Sequence, residues 1–133
     1  MTVENMMDLE WNGQIAQEAL RIDQPAPNSS TYWLSEDTQI GQVTFKAHTL
    51  IQVNFTGLHH HSKYWQKPAE FLPERFDNSN RLSETPEGKK RHPFAWCPFN
   101  GGQRICFGKT FAEFNLKLLS TYITQHFNFE YED

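Results

Sequence analysis

The amino-acid sequence predicts a helix-rich α+β unit, and three observations predict it. Apolar residues recur at helical spacing in one segment near the amino terminus and in another near the carboxy terminus. Short runs between them alternate apolar and polar, and a long stretch after those runs keeps no period and is broken by proline and glycine. With 133 residues there is material for one hydrophobic core and not two, so residues 1–133 are expected to form a single unit.

The first helix is expected over residues 8–23. Leu9, Ile15, Ala16, Ala19, Leu20 and Ile22 recur along it, Asp8 is available as N-cap, and Pro25 and Pro27 end it. Ile40, Val43 and Phe45, then Leu50, Ile51, Val53 and Phe55, alternate with polar residues, and Gly41 suits a tight turn; together they predict a small β-hairpin or meander. Residues 57–98 contain Pro68, Pro73, Pro86, Gly88 and Pro93 and predict a long meander of loop and short helical turns. Residues 99–108 form a glycine-rich loop ahead of a second helix at 109–125. On that helix Glu113, Lys117, Ser120 and Thr124 make one narrow polar stripe. Phe111, Ala112, Leu116, Leu118, Leu119, Tyr122 and Ile123 fill a wide apolar arc, which predicts a largely buried helix. Phe127, Phe129 and Tyr131 alternate like a terminal strand.

Composition excludes several classes. Hydrophobic residues at 38% and aromatics at 14% are too many for a disordered chain. A net charge of -4 argues against a nucleic-acid binder. Two cysteines, Cys97 and Cys106, are too few for a disulfide scaffold and point to a reducing, intracellular compartment. The amino-terminal residues hold no apolar run long enough for a signal peptide or a membrane span.

The chemistry concentrates in Phe99 to Glu113. Gly101 and Gly102 permit positive φ and close backbone approach to a flat ligand. Cys106 lies at a helix start, where partial positive charge and unpaired amides favour a thiolate, the form in which cysteine ligates haem iron. Arg104 offers a planar fork of donors for a carboxylate, and Gly108 keeps the space beside the sulfur clear. Taken singly, a free cysteine is more often a small buried hydrophobe, and a Gly-Gly turn is commonplace.

Taken together, Phe99, Gly102, Arg104, Cys106 and Gly108 match F-x-x-G-x-R-x-C-x-G, and the sequence resembles the cytochrome P450 family of haem-thiolate monooxygenases. Two further segments resemble it in the same chain order. Glu18-x-x-Arg21 matches the family's E-x-x-R helix, and Pro73 to Phe76, PERF, matches its P-x-R-F segment. Leu58 to Phe76 resembles L-H-R-D-P-x-x-W-x-x-P-x-x-F-x-P-E-R-F, with His60, His61 and Ser62 in place of Arg, Asp and Pro; Asn115 stands where Glu is frequent. The resemblance runs from about Leu9 onward and corresponds to the carboxy-terminal part of a full-length relative. It implies the family fold in part, haem b (iron protoporphyrin IX) as cofactor and Cys106 as axial ligand. It also implies a buried Glu18, Arg21, Arg75 cluster that locks the long loop to the first helix. The implied activity is insertion of one atom of O2 into a small organic substrate, with electrons from a reductase, ferredoxin or cytochrome b5 type of donor. A full-length eukaryotic relative is expected at the endoplasmic reticulum membrane, with membrane contact only through a part upstream of this sequence. Distal proton-delivery groups and most of the substrate pocket are likewise expected upstream, so the chain alone is expected not to oxidise substrates.

Rival readings keep the haem loop or dispense with haem. One is a truncated, non-catalytic fragment without a distal side. Another is a metal or thiol site built from His59, His60, His61, His92 and Cys97, although adjacent residues on a strand face opposite sides and these read better as surface histidines. A cysteine hydrolase using Cys106 lacks any feature that selects its base. The basic run Lys89, Lys90, Arg91, anomalous in an acidic chain and just upstream of the cysteine loop, is expected either to dock the electron donor or simply to be solvated.

Overall fold

A computed structural model describes residue 5 and residues 9–130. Helix α1 spans Glu10–Ile22, within one or two residues of expectation; its N-cap is Leu9, without a side-chain cap, and the expected cap Asp8 lies outside the described residues. Two separate two-stranded sheets follow. Strand β1 (Tyr32–Trp33) pairs antiparallel with β4 (Leu50–Ile51), Tyr32 opposite Ile51. Strands β2 (Thr38–Ile40) and β3 (Val43–Phe45) form the expected hairpin, closed at Gly41 with φ +62°.

Two strand expectations need correction. The alternation from Leu50 to Phe55 yields only β4, because Asn54 accepts the Gly57 N–H at 2.7 Å and caps a short helix, α2, over Phe55–His59. Among the described residues Phe127 to Glu130 form no strand and pair with no other strand, and Tyr131 lies outside the described residues. The meander is loop and 3-10 turns at Pro73–Phe76, Arg81–Ser83 and Pro93–Ala95, as its prolines require. A further 3-10 turn, Gly102–Arg104, leads into helix α3, Lys109–His126.

Helix α3 departs furthest from expectation. Its one buried residue is Thr121, while Phe111, Leu119, Tyr122 and Ile123 are exposed. The polar stripe is what packs. Asn12 on α1 donates to Lys117 O at 3.1 Å and to Thr121 Oγ1 at 2.5 Å, and accepts from Ser120 Oγ at 2.8 Å. Directional bonds from one amide thus fix the α1–α3 contact, and the apolar arc is left outward.

The interior is correspondingly polar. Among the described residues the buried hydrophobics are Leu20, Phe55, Trp65 and Ala95, whereas Glu18, Arg21, His59 and Arg75 are among the largest fully buried side chains. Burying charge without partners costs several kcal/mol per ion, about enough to unfold a domain of this size, so these groups must satisfy one another.

Candidate haem site

Glu18 and Arg21 lie one turn apart on α1, which places both side chains on the same face. Arg21 Nε and Nη2 donate to the two oxygens of Glu18 at 2.8 and 2.9 Å, a bidentate pair. Arg75, from the PERF turn, donates through Nε to Glu18 Oε1 at 3.1 Å, and the Leu72 N–H adds a fourth bond at 2.9 Å. The remaining guanidinium N–H groups go to backbone carbonyls: Arg21 to His59 O, Pro68 O and Glu70 O, and Arg75 to Gln66 O, Lys67 O and Glu70 O. One carboxylate and two arginines therefore hold the meander against α1. Burial lowers the Arg75 pKa, and the Glu18 charge works against that shift.

The cysteine loop is closed by its own backbone bonds. Asn100 N–H bonds Cys97 O at 3.0 Å, closing a turn in which Asn100 takes φ +66°, a conformation asparagine tolerates. Gly102 has φ +64°, as expected. Gly101 does not: at φ -159° it is extended, and it is needed for space, because a Cβ there would enter the Phe94 ring. Cys106 N–H then reaches back to Phe99 O at 2.8 Å, and α3 begins just after Gly108, where a Cβ would stand 3.8 Å from Cys106 Sγ. The loop is thus tied at both ends.

Cys106, Arg104 and Phe99 share the wall of a cavity of about 520 Å³, whose other lining includes Leu20, Phe55 and Leu116. Arg104 makes no ion pair or side-chain hydrogen bond among the described residues. One accessible thiol, one uncommitted guanidinium and apolar walls fit a flat, largely apolar macrocycle with anionic arms. A larger cavity, about 720 Å³ between α1 and α3, shares Leu20 and Leu116 with it but contains none of Phe99, Arg104 and Cys106. Cys97 is half-buried, and burial pushes its thiol pKa up.

Two expectations at the surface change. Lys89 and Lys90 are exposed, with Lys89 paired to Glu87 at 2.8 Å, but Arg91 is turned inward. Its guanidinium lies over Trp65 and donates to Leu82 O at 2.6 Å; burial above all, then the Arg75 charge, lowers its pKa to about 10. Arg91 therefore does not share the exposed surface of Lys89 and Lys90 expected of all three. His59 is likewise no surface histidine: it is fully buried, and its Nε2 accepts the Cys97 N–H at 3.0 Å. His61 is exposed, and among the described residues no group of three His, Cys, Asp or Glu side chains could hold a metal.

Sequence reasoning assigned His59 and Arg91 other roles and did not point to Asn100 or to Tyr32, whose hydroxyl accepts from Asn100 Nδ2 at 3.3 Å. Only His59 carried a signal, as the histidine of the L-H segment.

The described residues thus combine a buried carboxylate–diarginine cluster that holds the meander with a cysteine loop that runs into a helix beside an apolar cavity. The family model described as Cytochrome P450 matches residues 1–133, and the chain belongs to the cytochrome P450 family. It is 34% identical to guinea pig (Cavia porcellus) cytochrome P450 3A15 over 128 residues, which is 96% of this chain and 24% of that protein. It is 31% identical to the Drosophila melanogaster probable cytochrome P450 4p2, over 96% of this chain and 23% of that protein. Among solved structures, the haem domain of cytochrome P450DA aligns with TM-score 0.83 and 30% identity, over 96% of this chain and 27% of that one. The cyanobacterial CYP120A1 with bound retinoic acid aligns with TM-score 0.82 and 30% identity, over 94% and 28%. The chain spans about a quarter of the length of the curated relatives it matches.

Proposed function

We propose that this chain is the haem-binding portion of a monooxygenase acting on a small organic substrate, with the Cys106 thiolate as axial ligand of haem b. The observation that supports it is the placing of Cys106 and Arg104 on one apolar cavity wall by a loop anchored at Phe99. When bound, haem supplies the activation of O2, for which the electrons come from a reductase, ferredoxin or cytochrome b5 type of donor.

The work of the chain itself is to bind and orient. Cys106 presents its sulfur at the start of α3, where the first-turn amides carry no side-chain cap. Arg104 is placed to pair with a propionate, Phe99 walls the cavity, and Gly102 and Gly108 let the backbone come close. Lys89 and Lys90 offer exposed positive charge to an acidic electron donor. Full-length eukaryotic relatives are expected at the endoplasmic reticulum membrane; among the described residues no helix is long and apolar enough to cross one.

A second reading, a fragment that binds haem without turnover, is favoured by the exposed apolar arc of α3, with Phe111 74% exposed, and by Phe107 in full contact with solvent.

The test loads the chain with haem and records the ferrous carbonyl spectrum. The red-shifted Soret band of a thiolate haem is expected, kept by Cys97→Ala and lost in Cys106→Ser; its retention in Cys106→Ser would overturn the assignment. Reductase-supported, NADPH-driven product formation by the loaded chain is expected to be absent, and Cys106-dependent product formation would remove the second reading.

A further inference from the structure

His59 stands at the end of α2 with His60 and His61 beside it, yet its relative exposure is 0%. The helix explains the burial: Phe55, one turn earlier and itself buried, stacks on the His59 ring with centroids 6.3 Å apart. Two bonds then commit the residue. Its carbonyl accepts Arg21 Nη1 at 2.9 Å, and its Nε2 accepts the N–H of Cys97, 38 residues away, at 3.0 Å. One residue thus has the Glu18–Arg21 pair on its backbone side and the entry to the cysteine loop on its ring side.

The path continues through the loop. The carbonyl of Cys97 accepts Asn100 N–H, closing the turn that contains Phe99, and the carbonyl of Phe99 accepts Cys106 N–H. Fixing the Cys97 amide therefore fixes one end of the turn whose other bonds reach the cysteine. Acceptance at Nε2 requires a neutral ring with its proton on Nδ1.

We propose that His59 is a positioning residue for the haem loop: by accepting the Cys97 N–H it sets the turn from Cys97 to Asn100, and through it the place of Cys106 on the cavity wall. The inference rests on Cys106 being the ligand, as proposed above. It assigns His59 a task distinct from the carboxylate–arginine platform, whose bonds end on the meander backbone and do not reach the loop.

The test compares three substitutions in the whole chain. His59→Leu removes the acceptor and keeps an apolar body, His59→Gln returns an acceptor near the place of Nε2, and His59→Asn offers one only near Nδ1. Two quantities are read: hydrogen exchange of the Cys97 amide without haem, and, after haem loading, the share of the ferrous carbonyl spectrum in the red-shifted thiolate band. In His59→Leu the Cys97 amide is expected to exchange about tenfold faster, the weight of one hydrogen bond, and part of the carbonyl signal to leave the thiolate band while haem stays bound. His59→Gln is expected to restore both, and His59→Asn neither. If His59→Leu does not fold, the Gln and Asn variants decide between themselves. Wild-type exchange at Cys97 in His59→Leu or His59→Asn, or equal changes in the Gln and Asn variants, would overturn the proposal and leave His59 a packing residue. A wild-type chain that binds haem without any thiolate band would instead overturn the ligand assignment, and the exchange comparison would still decide whether His59 holds Cys97.

Discussion

The guanidinium carbon of Arg91 lies 4.0 Å from the centre of the Trp65 ring, and Arg21 lies 5.2 Å from the same centre. Trp65 is fully buried, so both cations meet it out of water. The exposed run Lys89, Lys90 therefore ends on a residue that belongs to the interior.

This separates the three basic residues experimentally. Arg91→Met is expected to lower stability by about 2 kcal/mol, through loss of the ring contact and of the bond to Leu82 O, as read by urea unfolding. Reversing Lys89 and Lys90 to Glu is expected to leave stability within about 0.5 kcal/mol, because both side chains are exposed. In the haem-loaded protein the same reversal is expected to slow reduction by an acidic donor at low salt, with the difference fading as salt rises. An unchanged reduction rate assigns the pair to solubility.

Glu18 is the shared acceptor of Arg21, Arg75 and the Leu72 amide, with all three charged side chains fully buried. Glu18→Ala leaves two guanidiniums buried without their counter-charge and is expected to cost about 3–5 kcal/mol. The meander should loosen first, so amides near Gln66 to Glu70 should lose exchange protection before those of α1. Haem-loaded yield should fall more than the carbonyl spectrum of whatever haem is bound. A variant with wild-type unfolding midpoint would show that the cluster does not anchor the meander.

Acid should act through His59. Its pKa is lowered from 6.5 to about 4, mainly by burial, with the charges of Arg21 and His60 adding. Between those two values the unfolded chain binds a proton that the folded chain refuses. This contribution to stability is complete above the unfolded value and is lost as pH falls from about 6.5 towards 4, by up to roughly 3 kcal/mol. Unfolding midpoints measured across that window should fall with pH, and less steeply in His59→Gln. Equal slopes in the two proteins would mean that His59 is not the titrating group.

The paired glycines should respond differently. Gly102→Ala forces a side chain into φ +64° and is expected to cost about 1–2 kcal/mol, whatever its neighbours. Gly101→Ala instead meets the edge of Phe94, which is half-exposed and stacked on His92 at 5.8 Å. Its cost should be smaller and should vanish in the Gly101→Ala, Phe94→Ala double variant. Additive losses in that double variant would rule out the Phe94 contact as the cause.

Some of this could be read from residues alone. The 3.6-residue period and the paired prolines located α1, Gly41 located the hairpin turn, and the spacing of Phe99, Gly102, Arg104, Cys106 and Gly108 located the loop, because each depends on local geometry or on fixed offsets along the chain. The meeting of Glu18 with Arg75 came only through resemblance, as no local rule joins residues 57 positions apart. Other features were decided in three dimensions. Whether α3 shows its apolar arc or its polar stripe to α1 depends on Asn12, a residue with no part in the helix's own pattern. Whether a histidine among three neighbours is buried, or the last residue of a basic run turns inward, depends on what waits beyond it: the Cys97 amide for His59, the Trp65 face for Arg91. Periodicity reports how a segment divides between apolar and polar faces. It is silent on which distant donor, carbonyl or ring will satisfy a buried polar group, and in a chain whose interior is built on such groups that choice belongs to the tertiary structure.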